Sequence, residues 1–210
     1  MARWFLVRHG ETDWNSEGRI QGQLDTPLNE AGLIQARSLG LRLESIPFTA
    51  AYCSDLCRGS DTAGAVLLGR SLPIEEMPEL REKKFGEWEG MTFLDVETRF
   101  PDLYHNGLMT GDPSFAPPGG ESDLQLYSRA KAVAERLMQV HTVHSGNILV
   151  VSHGGTLSAL ITCLIDLPAD KMWRFRFANA GISVVSVFDE GSAVLDVLND
   201  TSHLVDGFRV

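Results

Sequence analysis

The sequence predicts an α/β protein: a three-layer α/β/α arrangement with a mostly parallel central sheet and a small inserted cap segment. Three observations predict it. Short apolar runs stop abruptly on polar residues and glycine, as RWFLVR (3–8) and NILVVS (147–152) do, which is the pattern of buried strands. Amphipathic stretches of helical length separate these runs, and parallel neighbours need such crossovers on both faces of a sheet. One glycine- and proline-rich segment, 84–120, interrupts the alternation.

Each element has its own local reason. After the strand at 3–8, LNEAGLIQARSLGLRLES (28–45) reads as a helix begun by Asn29, whose side-chain oxygen can accept from the open amides of the first turn. Leu28 and Leu33 occupy the two positions of a hydrophobic staple, and Leu33, Ala36, Leu39 and Leu43 share one face. AAYCS (50–54) is a second strand and DLCRGSDTAGAVLLG (55–69) a second helix, closed by Gly69. LPIEEM (72–77) opens with Pro73, which cannot donate to an inner ladder and so marks an edge strand.

The 84–120 segment carries Gly86, Gly90, Gly107, Gly111, Pro113, Pro117, Pro118, Gly119 and Gly120. Such spacing predicts loops and short helices, lying over one edge of the sheet. A long helix follows from about Ser122 to His144, with Leu126, Ala130, Val133, Leu137 and Val140 as its buried stripe. NILVVS is the most apolar strand. It stops at His153-Gly154-Gly155 and runs into the helix TLSALITCLI (156–165). GISVVSVF (181–188) and AVLDVL (193–198) close the chain as a hairpin through Asp189, Glu190, Gly191 and Ser192.

Composition bounds the function. The 210 residues, 43% hydrophobic and 22% charged, suit one domain over 1–210 with a real core rather than a disordered chain. No apolar run approaches the roughly 20 residues that cross a bilayer. The apolar stretch in MARWFLVRHG is too short for a signal peptide, so the expected location is cytoplasmic. A formal net charge of −10 argues against nucleic acid or anionic membrane as partner. It leaves room for a small anionic molecule in a locally positive pocket. Cys53, Cys57 and Cys163 form no CxxC pair and read as buried small residues. His141-x-x-His144 has no carboxylate arranged beside it, so no metal site is expected there.

Polar residues gather where the strands stop, the edge at which parallel sheets collect ligands. Arg8 and His9 end the first strand, Arg58 falls in the first turn or so of the helix after the second, and His153 ends the strongest one. Each alone has an ordinary reading: a strand-end histidine is usually a hydrogen-bonded structural group, and an arginine on a helix a solvated charge. Repetition at one topological position changes that. Two histidines and two arginines near helix N-termini make an anion site. Neighbouring strand residues point to opposite faces, so Arg8 and His9 converge only if the backbone leaves strand geometry, and Gly10 is placed to permit it.

These residues sit in five ordered stretches: LVRHGETDWN (6–15), SDLCRGSDTA (54–63), LREKKFGEWEG (80–90), GGES (119–122) and VVSHGG (150–155). With them the sequence resembles the histidine phosphatase superfamily, the phosphoglycerate mutase-like family, and within it the small bacterial phosphatases. The NDTSHL tail (199–204) recurs among the phosphatase members. The resemblance implies a phosphohistidine mechanism that uses no metal or cofactor. His9 would be the nucleophile and Glu82 the general acid, picked from Glu79, Glu87 and Glu89 by its place in the motif. Arg8, Arg58, Asn15, His153 and Gly154 would hold the phosphoryl oxygens.

Gln21, Phe85, Trp88 and His203 are candidates for substrate selectivity. Gly59 and Asp61 depart from the alanine and glutamine common in the second motif. The leading reading is a phosphatase acting on a small phosphomonoester such as phosphoserine, a phosphoglycerate, α-ribazole phosphate, or a sugar or nucleotide monophosphate. A cofactor-dependent phosphoglycerate mutase and a catalytically inactive regulatory relative stand as alternatives. A homodimer is a family-level expectation.

Overall fold

The computed structural model describes residues 1–141, 146–188 and 191–204. Six strands form one sheet: β1 (Ala2–Arg8), β2 (Phe48–Cys53), β3 (Glu75–Glu76), β4 (Asn147–Ser152), β5 (Ile182–Val187) and β6 (Ala193–Asp200). Their order is β3-β2-β4-β1-β5-β6. The first four are mutually parallel, and β5 and β6 join as an antiparallel hairpin. Val7 and Cys53 both register with Val151, and Arg8 registers with Ser152. The carboxyl ends of β1, β2 and β4 therefore finish level with one another.

Strand alternation divides the core in two. Trp4 and Leu6 of β1, with Ile148 and Val150 of β4, pack under α6 (Asp123–Val140) and α7 (Gly154–Leu164). Phe5, Val7, Leu149 and Val151 face α2 (Glu30–Arg42) and α3 (Cys57–Val66). That is the predicted three-layer α/β/α arrangement, with each central strand buried on both faces. Side-chain caps satisfy first-turn amides at several helix starts. Asn29 caps α2, Ser122 closes a capping box with Gln125 on α6, and Thr12 does so with Asn15 on the short α1 (Asp13–Ser16).

Several sequence expectations need correction. Leu33 is 44% exposed, so no staple pins the start of α2. The buried stripe begins at Gly32 instead, because the helix passes so close to the Glu11 backbone that any Cβ there would strike its carbonyl oxygen. Val140 is 61% exposed, at the last position of α6 and not in its buried stripe. The end of the expected helix, including His144, lies outside the described residues, while Nε2 of His141 meets the Tyr52 hydroxyl at 2.8 Å. The hairpin closes with Phe188 N–H donating to the Ser192 carbonyl at 2.9 Å; Asp189 and Glu190 lie outside the described residues. Only Cys53 of the three cysteines is fully buried, though all three are free.

The inserted segment holds α4 (Phe93–Arg99) and α5 (Pro101–Asn106). Trp88 and Val96 make a small separate core there with Ile20. Its backbone bonds run from Ile20 N–H to the Met91 carbonyl and from Gly90 N–H to the Ile20 carbonyl, both at 2.8 Å. The insertion is thus anchored on the loop that follows β1 and α1, at the carboxyl end of the sheet, and not over a sheet edge as expected.

Candidate active site

The level strand ends bring Arg8, His9, Arg58 and His153 together. Alternation along β1 sends Arg8 toward α7, where its Nε lies 3.8 Å from the place a Cβ on Gly154 would take. It sends His9 toward the α3 side, beside the N-terminal turns of that helix. β1 ends at Arg8, so His9 already lies outside the regular strand. Gly10 has no positive φ. Its lack of a side chain matters because a Cβ would sit 2.6 Å from the Gly32 carbonyl oxygen of α2. Gly10 N–H donates to Thr62 Oγ1 at 3.0 Å, tying the strand end to α3.

Hydrogen bonds fix the protons on the two imidazoles. Nδ1 of His9 lies 2.6 Å from the Gly10 carbonyl oxygen. A carbonyl only accepts, so Nδ1 carries the proton and Nε2 keeps its lone pair. His153 is the converse. Arg58 Nε donates to His153 Nδ1 at 3.2 Å, so Nδ1 is bare and the proton sits on Nε2. That Nε2 is buried and meets no partner among the described residues. The rings stand 5.0 Å apart between centroids, one offering a lone pair and the other an N–H. Burial, reinforced by the Arg58 charge, pushes both histidines well below the usual imidazole value. Both are neutral at pH 7.

Arg58 is fully buried. Nη1 donates to the Leu24 carbonyl at 2.8 Å and to Thr26 Oγ1 at 3.5 Å, and Nη2 to the Gly22 carbonyl at 2.8 Å, which with the Nε bond leaves one of its five N–H groups without an acceptor among the described residues. Arg8 Nη1 donates to the Phe177 carbonyl at 2.6 Å, while its buried Nε has no partner among the described residues. Desolvation lowers the pKa of both guanidiniums, yet a guanidinium stays charged in a protein. Two dehydrated cations with unsatisfied donors therefore surround two neutral rings, an environment that favours a polyanion.

Glu82 lies across this space at the start of α7. Its Oε2 accepts from Gly155 N–H at 3.1 Å, and its Oε1 from Thr156 N–H at 3.2 Å and Lys83 N–H at 2.8 Å. A Cβ at Gly155 would lie 2.6 Å from Oε1, so the second glycine of HGG makes room for the carboxylate. The Gly154 amide, one residue earlier, has no acceptor among the described residues. The neighbouring acids do other work: Glu79 and Glu87 are exposed, and Glu89 Oε1 accepts from the amides of Gln23 and Phe85. Arg129 holds the Glu82 loop from behind. It donates to the carbonyls of Glu79, Arg81 and Glu82 and forms a two-pronged pair with Glu121 of the GGES motif.

Asn15 and the selectivity candidates are placed unevenly. Asn15 Oδ1 accepts from Thr12 and, at 3.0 Å, from Asn179 Nδ2, leaving its own Nδ2 without a partner among the described residues. Gln21 is a brace: its Oε1 accepts from Thr12 Oγ1 at 2.9 Å and Thr26 Oγ1 at 2.5 Å. Trp88 is fully buried between Phe100 and Phe115 in the core of the insertion, so it shapes the cap without touching a ligand. Phe85 is half-buried against the same cluster. His203 sits near Ala180, Asp200 and Arg42, and none of its interactions reaches the four central residues.

The segment FANAG (177–181) escaped sequence reasoning. Asn179 Nδ2 donates to the carbonyls of His9 and Gly10 as well as to Asn15, and Ala180 N–H bonds the Arg8 and His9 carbonyls. Ala180 holds φ at 55°, a left-handed conformation that costs a non-glycine residue about 1 kcal/mol. The only local signal was a turn-forming Asn-Ala-Gly before a strand. Among the described residues, no group of three or more His, Cys, Asp or Glu is arranged to hold a metal ion.

Comparison with known proteins finds the same framework. The chain is 38% identical over 198 residues to the adenosylcobalamin/alpha-ribazole phosphatase of Escherichia coli (strain K12), covering 94% of this chain and 95% of that one. It is 34% identical to a probable phosphoglycerate mutase of Proteus mirabilis (strain HI4320), covering 98% and 96%. The crystal structure of the alpha-ribazole phosphatase from Shigella flexneri superposes with a TM-score of 0.87 at 36% identity, over 94% of this chain and 96% of that chain. The model of the histidine phosphatase superfamily (branch 1) matches residues 4–201, a span that includes every residue of the cluster built above. The chain therefore belongs to the histidine phosphatase superfamily, branch 1.

Proposed function

We propose that the protein hydrolyses small phosphomonoesters through a phosphohistidine, without a metal. The observation that carries this reading is the pair of opposite tautomers, His9 with a free Nε2 lone pair and His153 with a free Nε2–H, set between two buried guanidiniums. His9 Nε2 attacks phosphorus as the ester P–O bond breaks. The leaving alkoxide takes a proton from Glu82, whose oxygens keep lone-pair sites beyond their amide bonds. Arg8, Arg58, His153 Nε2–H, Asn15 Nδ2 and the Gly154 amide hold the charge spread over the phosphoryl oxygens. Water then gives its proton to the Glu82 carboxylate and attacks phosphorus; the P–N bond breaks and inorganic phosphate leaves.

A phosphomonoester panel assayed with a chelator present tests this. Release of phosphate from p-nitrophenyl phosphate and from alkyl monoesters is expected, with His9→Ala inactive and folded. No release from any ester, or full activity in His9→Ala, would overturn the assignment. The mutase-like relative keeps one alternative specific: exchange between 3- and 2-phosphoglycerate that outpaces hydrolysis would favour it. The inactive-relative alternative is disfavoured because every principal position is filled. The reading extends to a single domain over 1–210, acting in the cytoplasm as a homodimer. The free thiols fit a reducing compartment, and sedimentation reads the oligomer.

A further inference from the structure

Beside Glu82 stands a side chain that no motif marked. Trp173, in the 3-10 turn Ala169–Arg174, is 49% exposed, yet it is pinned at its polar edge. Its Nε1–H donates to Asp123 Oδ2 at 2.6 Å, and the other Asp123 oxygen pairs with Lys83 Nζ. Lys83 is buried, with Nζ 5.8 Å from the Trp173 ring centroid and 5.5 Å from that of Phe85. At the far side, the Trp173 ring carbon Cη2 lies 3.2 Å from the place a Cβ on Gly155 would take, and Glu82 Oε1 lies 2.6 Å from that same place. The indole thus borders the carboxylate assigned to protonate the leaving group.

A tryptophan that only filled space would be buried, as Trp4 and Trp88 are. Trp173 instead offers an apolar face while its hydrogen-bonding edge is turned inward and satisfied. The nearby cation does not make this wall an anion site, because Lys83 is already neutralised by Asp123. A leaving group bearing a carboxylate would find the Lys83 charge already taken up. One bearing a flat ring would find a surface with no polar atom to dehydrate.

We propose that Trp173, oriented by the Asp123–Lys83 pair, is a stacking platform for the leaving group. On that basis the preferred substrates are monoesters whose alkoxide carries a heteroaromatic ring. This rests on the phosphatase reading above. The test compares adenosine 5′-monophosphate with ribose 5-phosphate, which share one primary alkoxide and differ in the ring.

In the wild-type protein kcat/KM is higher for the nucleotide. Trp173→Ala lowers that preference about tenfold, mainly through KM, and Trp173→Phe retains most of it. Ribose 5-phosphate hydrolysis falls by much less than nucleotide hydrolysis in Trp173→Ala. A preference unaltered by Trp173→Ala, or an equal loss on both esters, overturns the platform while leaving the phosphatase reading intact. Titration calorimetry of the two ligands on His9→Ala and His9→Ala/Trp173→Ala needs no turnover. Weakening of the nucleotide alone supports the platform even if hydrolysis fails, and equal affinities in the two proteins refute it.

Discussion

Arg58 Nε donates to His153 Nδ1 at 3.2 Å, and this single bond decides which nitrogen of His153 faces the open space. A lysine in place of Arg58 would supply charge from one point, without the fork that reaches His153, Gly22 and Leu24 together. Arg58→Lys should therefore lower kcat/KM on any monoester by about 100-fold, the scale of removing an aligned donor. Nitrogen NMR at neutral pH should show His153 protonated at Nε2 in the wild-type protein and a mixed tautomer in the variant. A wild-type His153 protonated at Nδ1 would refute the assignment.

Burial of neutral histidines also sets a pH dependence for stability. His9 and His153 are pushed well below the usual value by desolvation first and by the arginines second, and burial also lowers His141 and His203. Below about pH 6.5 the unfolded chain binds protons that the native fold does not. Unfolding free energy should thus be fully present above that pH and fall as pH drops toward the native-state values, by about 1.4 kcal/mol per pH unit each for His9 and His153. Urea titrations at pH 7.5, 6.5 and 5.5 read the slope. His153→Asn should make it shallower by about one proton, and an unchanged slope would mean that His153 is not buried neutral.

The second glycine after His153 has a sharper requirement than the first. A methyl on Gly155 would meet Glu82 Oε1 at 2.6 Å and Trp173 Cη2 at 3.2 Å, whereas one on Gly154 has ordinary contacts of 3.8 and 3.9 Å. Gly155→Ala should displace the carboxylate and slow alkyl phosphates by about 100-fold, with a smaller effect on p-nitrophenyl phosphate, whose leaving group needs less protonation. Gly154→Ala should leave the melting temperature within a few degrees of wild type. Equal slowing of both ester types by Gly155→Ala would count against Glu82 as the acid.

The sheet was legible because its strands are short apolar runs between amphipathic helices, a pattern that leaves few topologies. The rim residues were legible for the same reason, since Arg8, Arg58 and His153 each end or follow such a run. What stayed hidden depends on close approach between segments far apart in sequence. Gly32 in place of Leu33 as the buried start of α2 follows from the Glu11 backbone passing beside it. The hold of Asn179 on His9 and Asn15 spans more than 160 residues of chain separation. Arg129 reads as an ordinary helix charge until the fold lays the 79–82 carbonyls against it.

That placement makes Arg129 the residue whose loss should best separate catalysis from folding. Its guanidinium joins the Glu121 carboxylate and the Glu79, Arg81 and Glu82 carbonyls at 2.6 to 3.3 Å, so it fixes the loop that presents the acid. Arg129→Met keeps most of the aliphatic stem that packs on the helix while removing every donor. The Glu121 carboxylate, only 14% exposed, would be left unpaired, and the expected loss of stability is about 2 kcal/mol. If Arg129 also positions Glu82, kcat on alkyl phosphates should fall several times further than kcat on p-nitrophenyl phosphate, at a temperature where the variant is fully folded. An Arg129→Met/Glu121→Gln double variant should recover part of the stability, because the unpaired charge is gone, but not the lost selectivity for alkyl leaving groups. Recovery of both together would reduce Arg129 to a structural ion pair.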